Sequence, residues 1–345
     1  MIAGIVGATG YGGIELFRLL SKHPQINQLK LYSSSQAGVE FEAIYPQFES
    51  RERHPLHEVD PVKMKEECDV VFLATPAGVS SRLTPELQDG KAKIIDLSGD
   101  LRLKNSADYS AWYKKDPAPE PSLEKAVYGL PEWNKEAIRS ADVVSNPGCY
   151  PTATLLGLGP VMSEQLADPG SIIVDAKSGV SGAGKNPNAL THFAHAQENF
   201  QIYKVNQHQH IPEVEQQLMQ WNEETTPITF STHLVPMTRG IMATIYFTLK
   251  EEKSAEELLA LYKDVYADQP FVRVKSEGQF PCTKDVYQTN FCDIGLTVDS
   301  RTKRVTVVSV IDNLMKGAAS QAVQNMNLVF HLDEAAGLPQ FPVYP

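Results

Sequence analysis

The opening of the chain narrows the possible folds most. Ile2–Val6 is a short apolar run, and Gly7-Ala8-Thr9-Gly10-Tyr11-Gly12-Gly13 follows without a gap. Ile14, Leu16, Phe17, Leu19 and Leu20 then recur at helical spacing until Lys22-His23-Pro24. Strand, glycine turn and helix in direct succession is the context a dinucleotide turn requires. Gly7 and Gly10 let the backbone approach a pyrophosphate, and Gly13 lets the helix pack close to the sheet. Ala8, Thr9, Tyr11 and Gly12 complete the candidate cofactor turn. The N-terminal part is therefore expected to be α/β, a doubly wound Rossmann-type parallel sheet.

The next segments extend that sheet. Gln28–Tyr32 reads as a second strand and ends in Ser33-Ser34-Ser35, where an NAD site places an acidic residue for the ribose 2′-OH. Three hydroxyls there suit a 2′-phosphate and favour NADP; a plain serine loop is the other reading. Asp69–Ala74 is an almost wholly apolar third strand, as a buried parallel strand should be, and Thr75-Pro76 after it is expected near the cofactor. Lys93–Leu97 is a fourth strand, which makes Ser98 and Arg102 in the following loop candidate substrate contacts. For Arg102 a surface ion pair fits the sequence equally well. Tyr109–Pro131 reads as irregular, and Asp142–Ser145 is a fifth strand.

That fifth strand delivers Ser145-Asn146-Pro147-Gly148-Cys149-Tyr150-Pro151-Thr152. Pro147-Gly148 punctuates a tight turn and Pro151 suits a first helical turn, so Cys149 is expected at or just before a helix N-terminus. The partial positive charge at such an end favours a thiolate, and its backbone N–H groups can receive an oxyanion. A small buried hydrophobe is the alternative for any single cysteine.

Beyond Cys149 the pattern changes. Ser171–Ala176 reads as a strand, and Lys177–Lys185 is a glycine-serine loop that fits an anion cradle or a flexible linker. Asn186–Tyr203 reads as a long loop, and His208-Gln209-His210-Ile211-Pro212-Glu213 opens a helix. Two histidines alone do not make a zinc site, so no metal is expected. Ile228–Val235, Ala243–Leu249, Phe291–Val298 and Arg304–Ile311 read as longer strands of a mixed or antiparallel sheet in an α+β second domain. A final amphipathic helix runs from Asp312 to about Leu328 and is expected to return to the first domain. The domain expectation is 1–147 for NADP binding, completed by 315–345, and 148–314 for catalysis and oligomerisation.

The net charge of -11 argues against nucleic acid or an anionic membrane as partner. No segment reads as an export signal or a membrane span, and Cys68, Cys149, Cys282 and Cys292 show no metal-ligand spacing. A reducing cytoplasm is the expected compartment.

Taken together, Gly7–Gly13, Ser145–Thr152, Ser178–Gly184, His208–Glu213 and Asp312–Ala319 resemble the N-acetyl-gamma-glutamyl-phosphate reductases, the arginine-biosynthesis members of the semialdehyde dehydrogenase group. The resemblance implies NADPH-dependent reduction of N-acetyl-glutamyl 5-phosphate to the semialdehyde through a thioester on Cys149. It also implies a homo-oligomer, dimer or tetramer. It places active-site histidines at His208 and His210, with His208 read as the acid and His210 as its support. Gly182 is counted with the cofactor contacts and Asn146 with the substrate contacts. A substrate anionic at both ends needs local cations, for which Arg102, Lys177 and Arg239 are candidates. The family usually has arginine between the histidines; Gln209 departs from that. The alternatives are a sister acyl-phosphate reductase for aspartyl or carrier-linked substrates, an NADP-binding regulator without activity, and a thiol hydrolase. The glycine turn argues against the last, and the intact cysteine and histidines against the regulator.

Overall fold

The computed structural model describes residues 1–344, and the chain divides into two compact units. The first holds Met1–Pro147 and Ala318–Leu338; the second holds Gly148–Gly317 and the segment from Pro339 onward. Five helices matter below: α1 (Tyr11–Leu20), α2 (Cys149–Ser163), α3 (Ile211–Trp221), α4 (Ala255–Val265) and α5 (Ser320–Val329).

The first unit is built on a parallel sheet. Its strands are β1 (Ile2–Val6), β2 (Gln28–Tyr32), β3 (Leu56–His57), β4 (Val70–Leu73), β5 (Lys93–Asp96), β6 (Ala126–Tyr128) and β7 (Val143–Ser145), ordered β3-β2-β1-β4-β5-β7-β6. The central strands β4 and β7 are buried at every residue, which is why they read as unbroken apolar runs. The winding direction reverses between β1 and β4, and in such sheets ligands bind at the strands' carboxyl ends beside that reversal.

Two expectations for this unit are corrected. Tyr109–Pro131 is not irregular: a helix at Ser106–Tyr113, a helix at Glu120–Lys125 and strand β6 occupy most of it. The prolines there serve helix starts rather than break structure. The closing helix is not amphipathic, since every residue of α5 is buried. Its polar side chains are consumed inside the unit. Asn325 donates to the Gly129 carbonyl and to Asn146 Oδ1, and Asn327 faces His23 and donates to the Glu334 and Ala336 carbonyls.

The second unit carries a mixed sheet. Its strands are β8 (Ile173–Gly179), β9 (Gln201–Tyr203), β10 (Thr229–Val235), β11 (Ile241–Thr248), β12 (Val272–Val274), β13 (Cys292–Asp299) and β14 (Arg304–Ile311), ordered β12-β13-β14-β11-β8-β10-β9. β8 runs parallel to β10 and β12 to β13, while the other pairings are antiparallel. The stretch read as a long loop up to Tyr203 contains a short helix, Phe193–Ala196, and the edge strand β9. Helix α2 is buried from Tyr150 to Met162 and packs on the sheet where Gly157 meets Ile245, Val307 and Ser309. Pro160 in α2 has no N–H for the carbonyl one turn back, Leu156; the Tyr266 hydroxyl donates to that carbonyl at 2.6 Å.

Candidate active site

Cys149 is the first residue of α2, with Gly148 as an extended N-cap that has no side chain to offer. The helix has no acidic residue in its first turn, and Cys149 is half-buried. The turn is held from two sides. The Gly148 N–H donates to Glu213 Oε1 at 2.8 Å, and the Thr152 N–H and hydroxyl both donate to the Gly148 carbonyl. Because Gly148 is engaged and Pro151 has no N–H, two positions of the opening turn are withdrawn from anion binding. Gly317, in the π-helical turn Met315–Ala319, lies against the nucleophile: a Cβ on it would sit 2.7 Å from the Cys149 Cβ.

The two histidines occupy different environments. His210 stands at the N-cap position of α3 without a side-chain cap bond, and its ring lies on the cysteine turn, so that a Cβ on Gly148 would meet its Nε2 at 2.6 Å. His208 is buried, and its Nδ1 accepts the His210 N–H at 3.2 Å. That bond leaves the His208 proton on Nε2, facing the Tyr203 hydroxyl at 3.5 Å. Tyr203 in turn donates to the Tyr150 hydroxyl and Tyr150 to the His233 carbonyl. Burial, with Lys204 nearby, pushes His208 down to about 3, while burial pushes Tyr203 up to about 12. His208 is thus a neutral ring whose two nitrogens face a backbone donor and a phenol. The arrangement supports the reverse of the roles expected from sequence: His210 at the nucleophile, His208 behind it.

The glycine-serine loop is not a flexible linker. Gly179, Val180 and Ser181 donate their N–H groups to the Gly240, Met237 and Thr238 carbonyls, and Val180–Ala183 is a 3-10 turn. Gly182 belongs to that turn, where a Cβ would reach 2.7 Å from Ser178 Oγ. Asn313 ties this loop to the next one, donating to Ser181 Oγ and accepting the Gly240 N–H.

The candidate cations prove to be engaged. Lys177 bonds the Asp175 carboxylate at 2.8 Å, the Asp175 carbonyl and Thr244. It also lies on the opposite face of the sheet from α2. Val174, Ala176 and Ser178 alternate inward with Ile245 toward α2, so Lys177 points away from the helix that carries Cys149. Arg239 pairs at 3.1 Å with buried Asp312, which also accepts the N–H groups of Gln288, Leu314 and Met315. In the first unit Arg102 is 5 % exposed and donates to the Asn146 and Leu97 carbonyls, so a surface ion pair is excluded. Asn146, read as a substrate contact, has its amide donating to the Ala318 carbonyl and its Oδ1 accepting from Asn325. Ser98 builds its own turn, accepting the Asp100 N–H.

The glycine turn fits a dinucleotide on its own geometry. Gly7 takes φ +80, and a Cβ there would lie 2.4 Å from the Ala74 carbonyl; one on Gly13 would lie 2.3 Å from the Gly7 carbonyl. A Cβ on Gly10 would meet only the Gly7 carbonyl, at 3.5 Å, so the turn is open outward at the N-cap of α1. That cap has no side-chain bond and α1 has no acidic residue in its first turn, as a pyrophosphate requires. The conformational freedom of Gly7 also serves backbone packing at the end of β4. Ser33 Oγ accepts the Gln36 N–H, leaving Ser34 and Ser35 as the exposed hydroxyls of that loop. Thr75 is bonded to Ser80 at 3.0 Å, and Pro76 is exposed beside it.

Comparison with known proteins follows the same division. Residues 2–141 match the family model "Semialdehyde dehydrogenase, NAD binding domain", and 149–313 match "Semialdehyde dehydrogenase, dimerisation domain". A Geobacillus sp. (strain WCH70) protein called N-acetyl-gamma-glutamyl-phosphate reductase is 58 % identical over the full length of both chains, and one from Bacillus mycoides is 54 % identical over the same span. The chain belongs to the N-acetyl-gamma-glutamyl-phosphate reductase family. Among solved structures, aspartate semialdehyde dehydrogenase II of Vibrio cholerae aligns with TM-score 0.73 at 18 % identity, covering 96 % of this chain and 98 % of that one. That likeness concerns the fold.

Within the N-acetyl-gamma-glutamyl-phosphate reductase family, Gln209 is the departure noted in the sequence. Its Oε1 accepts the Lys204 ammonium at 2.8 Å, so a cation does stand over that position. Glu213, part of the histidine motif, holds the cysteine turn, a role its place in the sequence left unassigned. Its signal was available: Glu213 sits among Ile211, Pro212, Val214 and Leu218 on the buried face of α3, three residues after His210. Tyr203 and Asp100 carried no such signal, because their partners are distant in sequence.

Proposed function

We propose that this chain reduces N-acetyl-gamma-glutamyl phosphate to N-acetyl-glutamate semialdehyde with NADPH, releasing phosphate, with Cys149 as the nucleophile. The observation that carries the reading is a cysteine opening a buried helix with a histidine ring lying on its turn, in a chain of this family. The first unit is the NADP domain, with Gly7–Gly13, Ser34, Ser35, Thr75 and Pro76 on the cofactor side. The second unit is the catalytic one.

The thiolate forms a C–S bond to the acyl carbon as the acyl–phosphate C–O bond breaks, and inorganic phosphate departs. NADPH, when bound, supplies the hydride. The acyl oxygen is then an oxyanion on a tetrahedral carbon still bonded to Sγ. His210 protonates it, then takes the proton back as the C–S bond breaks, so Cys149 and His210 end as they began. His208 and Glu213 hold the ring and the turn. The half-buried sheet face that carries Asp175, Lys177, His233, Met242 and Thr244 is the proposed self-association surface of a homodimer or tetramer. Among the described residues no helix is long and apolar enough to cross a membrane, and we place the enzyme in the cytoplasm.

Substrate choice is tested in reverse, with NADP and phosphate and a panel of semialdehydes. N-acetyl-glutamate semialdehyde should be oxidised far faster than aspartate semialdehyde. Preference for the latter would reassign the chain to a sister reaction.

A further inference from the structure

The loop between β4 and the helix Ser80–Leu87 is anchored by a residue with no assigned part in the reaction. Asp100 is fully buried, and its carboxylate collects three donors. The Gly78 N–H reaches both oxygens at 2.9 and 2.8 Å, the Ser81 N–H reaches one at 2.9 Å, and the Tyr109 hydroxyl reaches the other at 2.6 Å. Gly78 takes φ +88, a left-handed shape that this carboxylate fixes from beneath. From above, the Lys115 stem lies over the turn, so that a Cβ on Gly78 would sit 2.8 Å from its Cδ. At its base the loop leaves β4 through Ala74, whose carbonyl is the group against which Gly7 packs.

We propose that Asp100 is a positioning residue of the cofactor site, holding the Thr75–Ser80 loop in its cofactor-facing shape. The inference rests on the reading of that loop as part of the NADP site. A charged acceptor is needed because two backbone N–H groups and a phenol converge on one buried point. An amide in its place would turn an NH₂ toward one of those donors and release the turn. The neighbouring acid differs. Asp96 is buried beside Asp100, and burial with the Asp100 charge pushes its carboxyl up. Its Oδ1 accepts the Ser98 N–H, which an amide oxygen can also do.

The test compares NADPH binding and apo thermal stability in the full chain and in Asp100→Asn, Asp96→Asn and Tyr109→Phe. Tyr109→Phe removes one donor from the carboxylate without touching the loop. Asp100→Asn should raise the Kd for NADPH about tenfold or more, the scale of a lost hydrogen bond to a charged group. Its KM for NADPH should rise with little change in kcat. Tyr109→Phe and Asp96→Asn should stay within about twofold of wild type in Kd, whatever their melting temperatures. Should Asp100→Asn not fold, Gly78→Ala distorts the same turn with the carboxylate intact and should show the same rise. Wild-type Kd in Asp100→Asn, or in Gly78→Ala if that variant carries the test, would overturn the proposal. So would a Kd that merely tracks lost stability across all variants. Absence of NADPH binding by the wild type would overturn the cofactor reading and this inference with it.

Discussion

At the scale of single residues, the proposed chemistry rests on four side chains: Cys149, His210, His208 and Glu213. Exposure alone would make Cys282 the thiol most open to reagents, since Cys149 is half-buried and Cys68 and Cys292 are buried. Cys282, however, is tied through its Sγ–H to the Asp285 carboxylate, whereas Cys149 opens a helix whose N-terminal end favours a thiolate. Iodoacetamide at neutral pH should therefore label Cys149 first, as read by peptide mass spectrometry over time; faster labelling of Cys282 would refute the activated-cysteine reading. The histidine roles separate in the same way. His210→Asn should lower kcat by roughly 10²–10⁴, the range of a general acid–base group. His208→Asn should lower it less and lower stability more, because it leaves a buried network without its ring. A larger kcat loss in His208→Asn would restore the assignment drawn from sequence. The sequence could not separate the two for a physical reason. His208 and His210 look alike in sequence, and only the backbone N–H of one on the ring of the other distinguishes them.

At the scale of elements, the sequence was most legible where strands are buried on both faces. β4 and β7 announce themselves as Val70-Val71-Phe72-Leu73 and Val143-Val144-Ser145. β3, β6, β9 and β12 have two or three residues each, too few for any period to register. Helix α5 misled in the opposite sense: Gln321, Gln324, Asn325 and Asn327 look like a solvent face and are all buried. The partners of the candidate cations were not legible, because charge is visible in sequence while its partner is not, as Lys177 with Asp175 and Arg239 with Asp312 show. Helix α2 carries a prediction of its own. Tyr266→Phe leaves the Leu156 carbonyl, already without a partner from Pro160, unsatisfied in the core. Stability should fall by about 1–3 kcal/mol in urea unfolding, with kcat barely changed; no loss would mean that another donor reaches that carbonyl.

At the scale of the whole molecule, each unit contains a buried neutral histidine. In the first, His23 accepts the Gln25 N–H at Nδ1 and faces Asn327 through Nε2, and burial lowers its pKa. In the second, His208 is lowered to about 3. Both lie below the unfolded value of about 6.5, so their contribution to stability is complete above that pH and is lost as pH falls toward the folded values. Melting temperatures should decline from pH 7 to pH 5, and His208→Asn should flatten that slope by its share; a wild-type slope unchanged by the substitution would contradict the buried neutral ring. The central claim, hydride transfer through a covalent thioester on Cys149, is tested most directly without phosphate. Wild-type enzyme mixed with N-acetyl-glutamate semialdehyde and NADP should form one equivalent of NADPH per active chain in a rapid burst and then stall, with an acyl group on the Cys149 peptide. Added phosphate should restart turnover. No burst, or a burst that leaves Cys149 unmodified, would contradict the account.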